Sequence, residues 1–255
     1  MMRRMAGQRT GLADMRLIAA LIALLLPQAV GAATCADTVF EGTSFTTCEV
    51  TSDEDLRLFH SGPKGHLGSF AAVDDMLAAE GKSLRFAMNA GMYHADRAPV
   101  GLYVERGRQG SALVTREGPG NFGLLPNGVF CIGARFAVVE SRRFAASPPR
   151  CDYATQSGPM LVIEGALHPR LIADSDSTYI RNGVGVSKDG KRAVFVISNQ
   201  AVNFHRFARF FRDALGLPNA LYFDGKISRL YAPDLGRSDL GFSLGPIVGL
   251  VGARG

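Results

Sequence analysis

Short apolar runs that end on polar residues beside glycine recur along this chain, and each run is short enough to be a β-strand. A buried strand that stops at such residues places a polar group at the edge of a sheet and leaves room for a ligand near the backbone. One such end is a common turn, whereas three in one domain predict a binding or catalytic site. The three polar segments are Asn89 to Gly91 after residues 84–88, Gln156 to Gly158 before residues 160–163, and Asp224 to Gly225 after residues 220–223.

Two other segments follow the helical period. Residues 70–79 begin after Ser69, a suitable N-cap, and stop at Gly81. Residues 204–215 begin after Asn203 and place their apolar side chains on one face. Each helix precedes a strand that ends on a polar residue. This repetition fits either an internal duplication or a common helix–strand turn.

The remaining apolar runs are short and bounded by Gly, Asn or Asp, which predicts strands. Residues 188–191 between two of them are a strong hairpin signal. Many strands with only two clear helices predict an α+β fold, a single mixed domain of largely antiparallel strands with two main helices. The further predicted strands are 101–105, 111–115, 128–132, 136–140, 160–163, 183–187, 193–198 and 247–251.

The first 33 residues are expected to be a secretory signal peptide. Arginines precede the apolar run 17–26 and small residues follow it, so cleavage is expected after Ala33 and the domain spans residues 34–255. The leader holds four of the 28 basic and one of the 23 acidic residues, so its removal lowers the net charge from +5 to +2. The charge therefore gives no support for a nucleic-acid partner. The prediction is a periplasmic or secreted protein with no integral membrane segment after cleavage.

All four cysteines follow the leader, and an oxidising compartment favours disulfides. Four cysteines allow three pairings, of which the sequential one, Cys35 with Cys48 and Cys131 with Cys151, is the simplest. Buried free thiols are the alternative. The chain has no C-x-x-C motif, so a zinc or thioredoxin-like site has no support. We predict no metal and no cofactor.

Two glycine motifs suggest functions that their context excludes. Residues 118–123 match the dinucleotide-binding pattern, but the sequence after them is a poor helix start. Residues 241–245 match the nucleophile elbow of α/β-hydrolases, yet no histidine follows Ser243 to complete a triad. A lipase-like acyl hydrolase is therefore excluded.

Four segments in order resemble the phosphodiester glycosidase family: residues 88–93 with 99–102, then 156–161, 181–190 and 221–228. The family's Asn-Gly-Gly has Ala90 at its centre here. Its Asp-Gly-Gly-x-Ser has Lys226 in place of the second glycine, where the side chain can reshape the site or add a phosphate contact. The resemblance implies an exported hydrolase that cleaves a glycosyl phosphodiester to a free sugar and a phosphomonoester. Its partner would be a carbohydrate or glycan phosphodiester.

That reaction needs a cation on the phosphate, a carboxylate at the anomeric carbon or at its attacking water, and hydrogen bonds to sugar hydroxyls. A strong general acid is less necessary, because a phosphate monoester is already a good leaving group. The catalytic residues predicted are Asp224 as the carboxylate, Arg181 as the cation, and Asn89. The residues predicted to bind substrate are Gln156, Ser157, Gly158, Gly225, Lys226, Ser228, Gly91 and His94.

Each catalytic candidate also has a purely structural interpretation. Asp224 is part of a common turn dipeptide, Asn89 can cap a turn, and Arg181 can form a surface ion pair. The alternative function is a non-catalytic module that binds an envelope polysaccharide. The two functions differ at Asp224, since catalysis requires a carboxylate whereas binding should tolerate Asp224→Asn.

Overall fold

Alternating burial along short strands produces a fold built almost entirely from antiparallel sheets. The structure, a computed structural model, describes residues 1–2 and 34–254. The predicted leader therefore lies outside the described residues, apart from its first two. The helices are α1 Phe70–Ala78, α2 Ser141–Ala146 and α3 Phe204–Arg209, with a π-helical turn at Phe210–Ala214 and a 3-10 turn at Pro233–Leu235. The strands are β1 Thr34–Phe40, β2 Thr43–Thr51, β3 Leu56–Phe59, β4 Ser61–Gly62, β5 Gly65–His66, β6 Lys82–Asn89, β7 Tyr103–Glu105, β8 Arg108–Ser111, β9 Gly128–Ile132, β10 Phe136–Glu140, β11 Tyr153–Ser157, β12 Met160–Ile163, β13 Ala166–Leu167, β14 Asn182–Val186, β15 Arg192–Ser198, β16 Asn219–Asp224, β17 Leu230–Ala232, β18 Arg237–Ser238 and β19 Ile247–Ala253.

Three sheets carry the fold. Sheet one has the order β1-β2-β15-β14-β16-β12-β13, sheet two β10-β9-β11-β7-β8, and sheet three β18-β17-β6-β19-β3. The strand pairs in all three are antiparallel. The predicted α+β fold of largely antiparallel strands is confirmed.

The central core forms where the three sheets face one another. Phe195 of sheet one lies 5.0 Å, ring centroid to ring centroid, from Phe86 of sheet three and 5.7 Å from Phe130 of sheet two. All three rings are fully buried. Aromatic pairs at these separations contribute beyond their buried area. The contacts join the sheets whose ends form the site.

The helices cover the outer faces of the sheets. In α3 and the turn after it, Phe207, Phe210 and Phe211 pack on Phe45 and the outer face of sheet one. The segment predicted as a helix, residues 204–215, is helical from residue 204 to residue 214. Its second half, Phe210–Ala214, is a π-helical turn and not an α-helix. Helix α1 ends at Ala78, within one residue of the predicted end.

One predicted strand was wrong, and one helix was not predicted. Residues 112–115 are not a strand, since β8 ends at Ser111 and the backbone of Val114 is held by the Gln156 side chain instead of a strand ladder. Helix α2 was not predicted, and its N-cap is Glu140, whose carboxylate accepts from the Arg143 N–H at 2.9 Å. Six residues are too short to show a helical period, and Glu140 also fits the end of a strand.

The sequential disulfide pairing is confirmed. Cys35 pairs with Cys48, and these residues lie opposite each other on β1 and β2. Cys131 on β9 pairs with Cys151, just before β11. Each bridge therefore fastens neighbouring strands of one sheet.

Candidate active site

A cleft of about 530 Å³ opens where sheets one and three meet, at the end of β16. Tyr222 and Asp224 enter it from β16, and the turn after β16 supplies Gly225 and Lys226. The remaining wall comes from loops. The residues of that wall are Met92, Tyr93, Val100, Pro119, Gly120, Asn121, Phe122, Ser177, Tyr179 and Ile227. The cleft thus combines one carboxylate with several hydroxyl, amide and aromatic groups.

Asp224 is a half-buried carboxylate at this strand end. Its Oδ1 accepts hydrogen bonds from the backbone N–H groups of Gly225 at 2.6 Å and Lys226 at 2.9 Å. Burial raises the pKa of Asp224 above its ordinary value, and the N–H groups of the following turn only partly oppose that shift. Both of these hydrogen bonds end on Oδ1, and the carboxylate lines the cleft. A carboxyl with a raised pKa in a cleft is suited to acid–base or nucleophilic work.

A pair of buried asparagines holds the backbone of Asp224 in place. Asn182 on β14 accepts from the Asp224 N–H through Oδ1 at 3.0 Å, and its Nδ2 donates to the Asn89 Oδ1 at 3.0 Å and to the Asn89 carbonyl at 2.9 Å. Asn89 Oδ1 also accepts from the Arg229 N–H at 2.9 Å. Both asparagines are completely buried. Asn89 therefore joins sheet three to the Asp224 turn, and its amide does not line the cleft.

Arg181 lies behind the cleft wall and reaches it through Tyr222. Its guanidinium is 1% exposed and stacks 3.6 Å from the ring centroid of Phe204. Nε donates to the Val202 carbonyl, Nη2 to the Ser177 carbonyl, and Nη1 to the Tyr222 hydroxyl at 3.4 Å. Within the described chain no carboxylate forms an ion pair with it. It is thus a buried cation whose charge faces the cleft across one phenol.

The direction of the Arg181–Tyr222 contact decides what Tyr222 offers to a ligand. The guanidinium has only donors, so the phenol oxygen accepts from it and keeps its own proton for donation. Burial raises the pKa of Tyr222, so the hydroxyl stays protonated at neutral pH. Tyr222 therefore presents a hydrogen-bond donor, backed by a positive charge, in the same cleft as Asp224.

Gly225 permits this close arrangement. A Cβ added there would lie 2.1 Å from the Tyr222 hydroxyl oxygen and 3.5 Å from Arg181 Nη1. Contacts below 3 Å are not tolerated without movement of one partner. The glycine is therefore needed so that the Asp224 turn can pass beside the phenol.

The other residues of the turn divide between the cleft and the scaffold. Lys226 is exposed and lines the cleft. Ser228 points its hydroxyl into the protein, where Oγ lies 2.7 Å from the Asp224 carbonyl oxygen and 2.9 Å from the Ile180 carbonyl oxygen, so its single proton can be donated to either. Ser228 therefore closes the turn that holds Asp224 and Lys226.

Residues 156–158 lie beneath the cleft, and none of them lines it. Gln156 uses its side-chain oxygen to accept from the N–H groups of Leu102 and Val114, each at 3.0 Å. Ser157 donates to the Phe223 carbonyl at 2.9 Å, one residue before Asp224. A Cβ at Gly158 would lie 2.6 Å from Asn127 Cβ. These groups fix loops that form the cleft.

The segment after Asn89 forms the opposite side. Gly91 has φ +145°, which favours glycine, and a Cβ there would lie 2.9 Å from Thr155 Oγ1. Tyr93 lines the cleft, and burial raises its pKa with a smaller contribution from the Asp224 charge. His94 is exposed and is not among the lining residues.

Sequence reasoning missed Tyr222, Tyr93, Asn121 and Asn182. Tyr222 precedes Asp224 by two residues and so projects to the same face of the strand, a signal that the alternation of strand side chains provides. Asn182 follows Arg181 in a segment already singled out, but its role depends on the pairing of β14 with β16. In the part of the chain that the structure describes, no group of three or more His, Cys, Asp or Glu side chains is placed to hold a metal ion. Nor is any helix there long and apolar enough to cross a membrane.

Comparison with known proteins places the chain in a family. A family model described as phosphodiester glycosidase matches residues 82–237. These residues include both asparagines, Arg181, Tyr222 and the Asp224 turn. The Escherichia coli K12 protein YigE, which is uncharacterised, is 43% identical over 149 residues, or 58% of this chain and 58% of that protein. The match thus spans little more than half the length of that relative.

Three solved structures share the fold. The zebrafish N-acetylglucosamine-1-phosphodiester alpha-N-acetylglucosaminidase catalytic domain, auto-inhibited by its pro-peptide, has a TM-score of 0.57 at 15% identity, covering 85% of this chain and 81% of that one. A hypothetical protein from Synechocystis has a TM-score of 0.54 at 13% identity, covering 85% and 61%. A putative exported protein from Burkholderia pseudomallei has a TM-score of 0.53 at 11% identity, covering 82% and 74%.

Proposed function

The chain belongs to the phosphodiester glycosidase family, and on that premise we propose that it hydrolyses a glycosyl phosphodiester to a free sugar and a phosphomonoester. The observation that carries the proposal is the half-buried Asp224 carboxylate beside the Arg181-backed Tyr222 hydroxyl in one cleft. A carboxylate and a positively supported donor are what cleavage next to a phosphate requires.

Asp224 acts at the anomeric carbon, either as the nucleophile or by removing a proton from the attacking water. Its Oδ1 is held by two backbone N–H groups, and the carboxylate lines the cleft. The bond that breaks joins the anomeric carbon to the phosphate oxygen. The electron pair of that bond leaves with the phosphate, and the hydroxyl of water ends on the sugar.

Tyr222 and Lys226 stabilise the departing phosphate. Arg181 has its Nε and Nη2 bound to carbonyls and one face of its guanidinium covered by the Phe204 ring, so it acts through the Tyr222 hydroxyl. A preorganised donor of this kind contributes about 3 kcal/mol to barrier lowering. Lys226 is exposed at the cleft and adds a second, mobile cation.

Asn89, Gln156, Ser157, Gly158, Ser228 and Gly91 are assigned positioning roles, since their polar groups or Cα atoms fix the loops of the cleft. His94 is exposed outside the lining and receives no role in the reaction.

The test is release of phosphomonoester from a panel of sugar-1-phosphodiesters, including that of N-acetylglucosamine, by the chain beginning at Thr34. Asp224→Asn preserves shape and both backbone hydrogen bonds, and it should lower kcat by at least about 100-fold. Asp234→Asn, on the exposed 3-10 turn, is the matched control and should retain full turnover. Glycan binding by wild type and Asp224→Asn alike, without turnover on any substrate, would instead support a polysaccharide-binding module.

We also propose that the chain is exported and processed. Two disulfides and the likeness to an exported Burkholderia protein support this. Expression of the full chain in a bacterium, followed by mass spectrometry of the periplasmic and secreted fractions, should give a protein that begins at Thr34. A cytoplasmic protein that retains residues 1–33 would contradict the proposal.

A further inference from the structure

An exposed apolar strap borders the cleft. We define the strap as residues 239–244. Leu240 and Phe242 within it are 92% and 79% exposed, whereas Leu244 at its end is fully buried. Gly241 between the two exposed side chains has φ +154°. The strap therefore places two large apolar groups in solvent while its end packs into the protein.

Both ends of the strap are fixed. Asp239 Oδ2 accepts from the Leu230 N–H at 2.9 Å, and the Leu244 N–H donates to the Gly68 carbonyl at 2.8 Å. The Tyr93 hydroxyl donates to the Ser243 carbonyl at 3.2 Å. The apolar side chains thus project from a fastened backbone, in contrast to scattered apolar residues on a mobile terminus.

The strap adjoins the wall of the cleft on two sides. Tyr93 lines the cleft and packs against Gly245, the residue that follows the strap. A Cβ added at Gly245 would lie 2.4 Å from Tyr93 Cδ1. Ile227, which also lines the cleft, lies two residues before Arg229, and Arg229 Nη2 donates to the Phe242 carbonyl. A ligand that extends out of the cleft on this side meets the strap first.

Arg229 beneath the strap is a buried cation with one unpartnered donor. It is 8% exposed, and in the described part of the chain its buried Nε has no hydrogen-bond partner. None of the ion pairs of the described residues includes it. Burial lowers the pKa of Arg229, and the charge of nearby Asp239, which is paired with Arg237, only partly opposes that shift, so an anion close to this side of the protein would stabilise the guanidinium.

We propose that the aglycone of the substrate is a lipid chain, so that the substrate class is a glycosyl phospholipid. This rests on the proposed function. The phosphate lies at Tyr222 and Lys226, and the alkyl chain leaves the cleft across Tyr93 onto Leu240 and Phe242. A cation followed by two exposed apolar groups is complementary to a phosphate followed by an alkyl chain.

The test compares two substrates with the same sugar and different aglycones, a methyl group and an n-octyl group, below the micelle concentration of the latter. The expected kcat/KM is at least about tenfold higher for the octyl diester, because its chain would bury apolar surface against Leu240 and Phe242. In Leu240→Ser and Phe242→Ser the ratio of the two kcat/KM values should fall toward one. Val39 is 71% exposed on β1, a strand that contributes no residue to the cleft, so Val39→Ser should keep the wild-type ratio.

Each outcome has a distinct meaning. Equal kcat/KM for both diesters, or strap variants that keep the octyl preference, would overturn the lipid aglycone and leave the hydrolase standing. A strap that instead mediates dimer formation, seen as a concentration-dependent mass that Phe242→Ser abolishes, would also overturn it. Hydrolysis of neither diester, nor of any sugar in the panel, would overturn the proposed function and the lipid aglycone together.

Discussion

Asn182 Nδ2 lies 3.0 Å from Asn89 Oδ1, and this contact joins two different β-sheets beside Asp224. Asn89 ends a strand of sheet three, and Asn182 begins a strand of sheet one. The side-chain oxygen of Asn182, Oδ1, accepts a hydrogen bond from the Asp224 N–H at 3.0 Å. The position of the carboxylate relative to Tyr93 and the strap therefore depends on one buried amide pair.

Asn182→Ala should lower the free energy of unfolding by about 2–4 kcal/mol, because it leaves buried donors and acceptors of Asn89 and Asp224 without partners. Urea denaturation measures this change. Asn219→Ala is the control, since Asn219 lies at the other end of β16 and accepts one exposed hydrogen bond from the Glu164 N–H. Its effect should stay below about 1 kcal/mol.

The double variant Asn89→Ala/Asn182→Ala tests whether the two amides act as a unit. Their coupling energy should be about 1–3 kcal/mol, as found for residues within one hydrogen-bond network. Additive effects of the two single changes would show that each asparagine stabilises its own strand independently.

Much of this arrangement follows from sequence, and the rest depends on strand pairing. The polar strand ends at Asn89 and Asp224 are visible as apolar runs that stop beside glycine, and the structure brings both to one place. The role of Asn182 is not visible, because it arises from a register that pairs Asn182 with Asp224 and shifts at the next residue. Such a bulge is set by tertiary contacts and not by local propensity.

Predictions from residue type alone were wrong about the positions of several polar side chains. Gln156 and Ser157 have side chains suited to sugar hydroxyls, yet both are buried and bonded to backbone. Arg181 was expected to face the phosphate, whereas Phe204 covers it and Tyr222 stands between it and the cleft. Sequence gives the chemistry of a side chain, and the depth at which the fold places it decides which groups remain free.

Gly225→Ala should lower kcat/KM by about 100-fold, because its Cβ would lie 2.1 Å from the Tyr222 hydroxyl oxygen and displace the Asp224 turn. The melting temperature should fall as well. Tyr222→Phe removes the clashing oxygen and leaves the ring carbon 3.3 Å from the new Cβ. The double variant should therefore recover the melting temperature.

Activity distinguishes the role of the hydroxyl from that of the space it occupies. Tyr222→Phe alone should keep the fold but lower kcat by about 100-fold, since the Arg181-supported donor is gone. The double variant should show the same loss. Full activity in Tyr222→Phe would remove Tyr222 from the mechanism and return phosphate binding to Lys226 or Arg181 itself.

Each disulfide should stabilise the domain by about 3 kcal/mol, the amount expected when a loop of 13 or 20 residues is closed in the unfolded chain. Paired alanine variants, one for each bridge, keep the other bridge intact and are compared by urea denaturation under oxidising conditions. Addition of reductant should bring the wild type to or below the stability of both variants. Equal stability of oxidised and reduced wild type would contradict this prediction.

Asp224→Asn should make the protein more stable at neutral pH while abolishing turnover. Burial raises the pKa of Asp224, so the folded state holds the proton more tightly than the unfolded state does. Ionisation of Asp224 therefore lowers the stability of the folded state as the pH rises above the ordinary pKa of 3.8. This loss of stability reaches its full size above the raised pKa. Melting temperatures measured from pH 3 to pH 8 should show a gain for Asp224→Asn that disappears toward the acid end.

Asp189→Asn provides a control of opposite sign. Hydrogen bonds, first from the Ser187 hydroxyl and then from the Lys191 N–H, lower the pKa of Asp189, so its ionised form favours folding above the ordinary pKa. Asp189→Asn should therefore lower the melting temperature at neutral pH, and this loss should fade as the pH falls through the lowered pKa. A loss of stability in both variants at neutral pH would mean that the N–H groups of the turn stabilise the ionised Asp224 carboxylate more than burial destabilises it. In that case the acid limb of the pH profile of kcat/KM should lie at or below the ordinary pKa of an aspartate. A pKa of Asp224 that is raised by burial predicts instead an acid limb above the ordinary pKa.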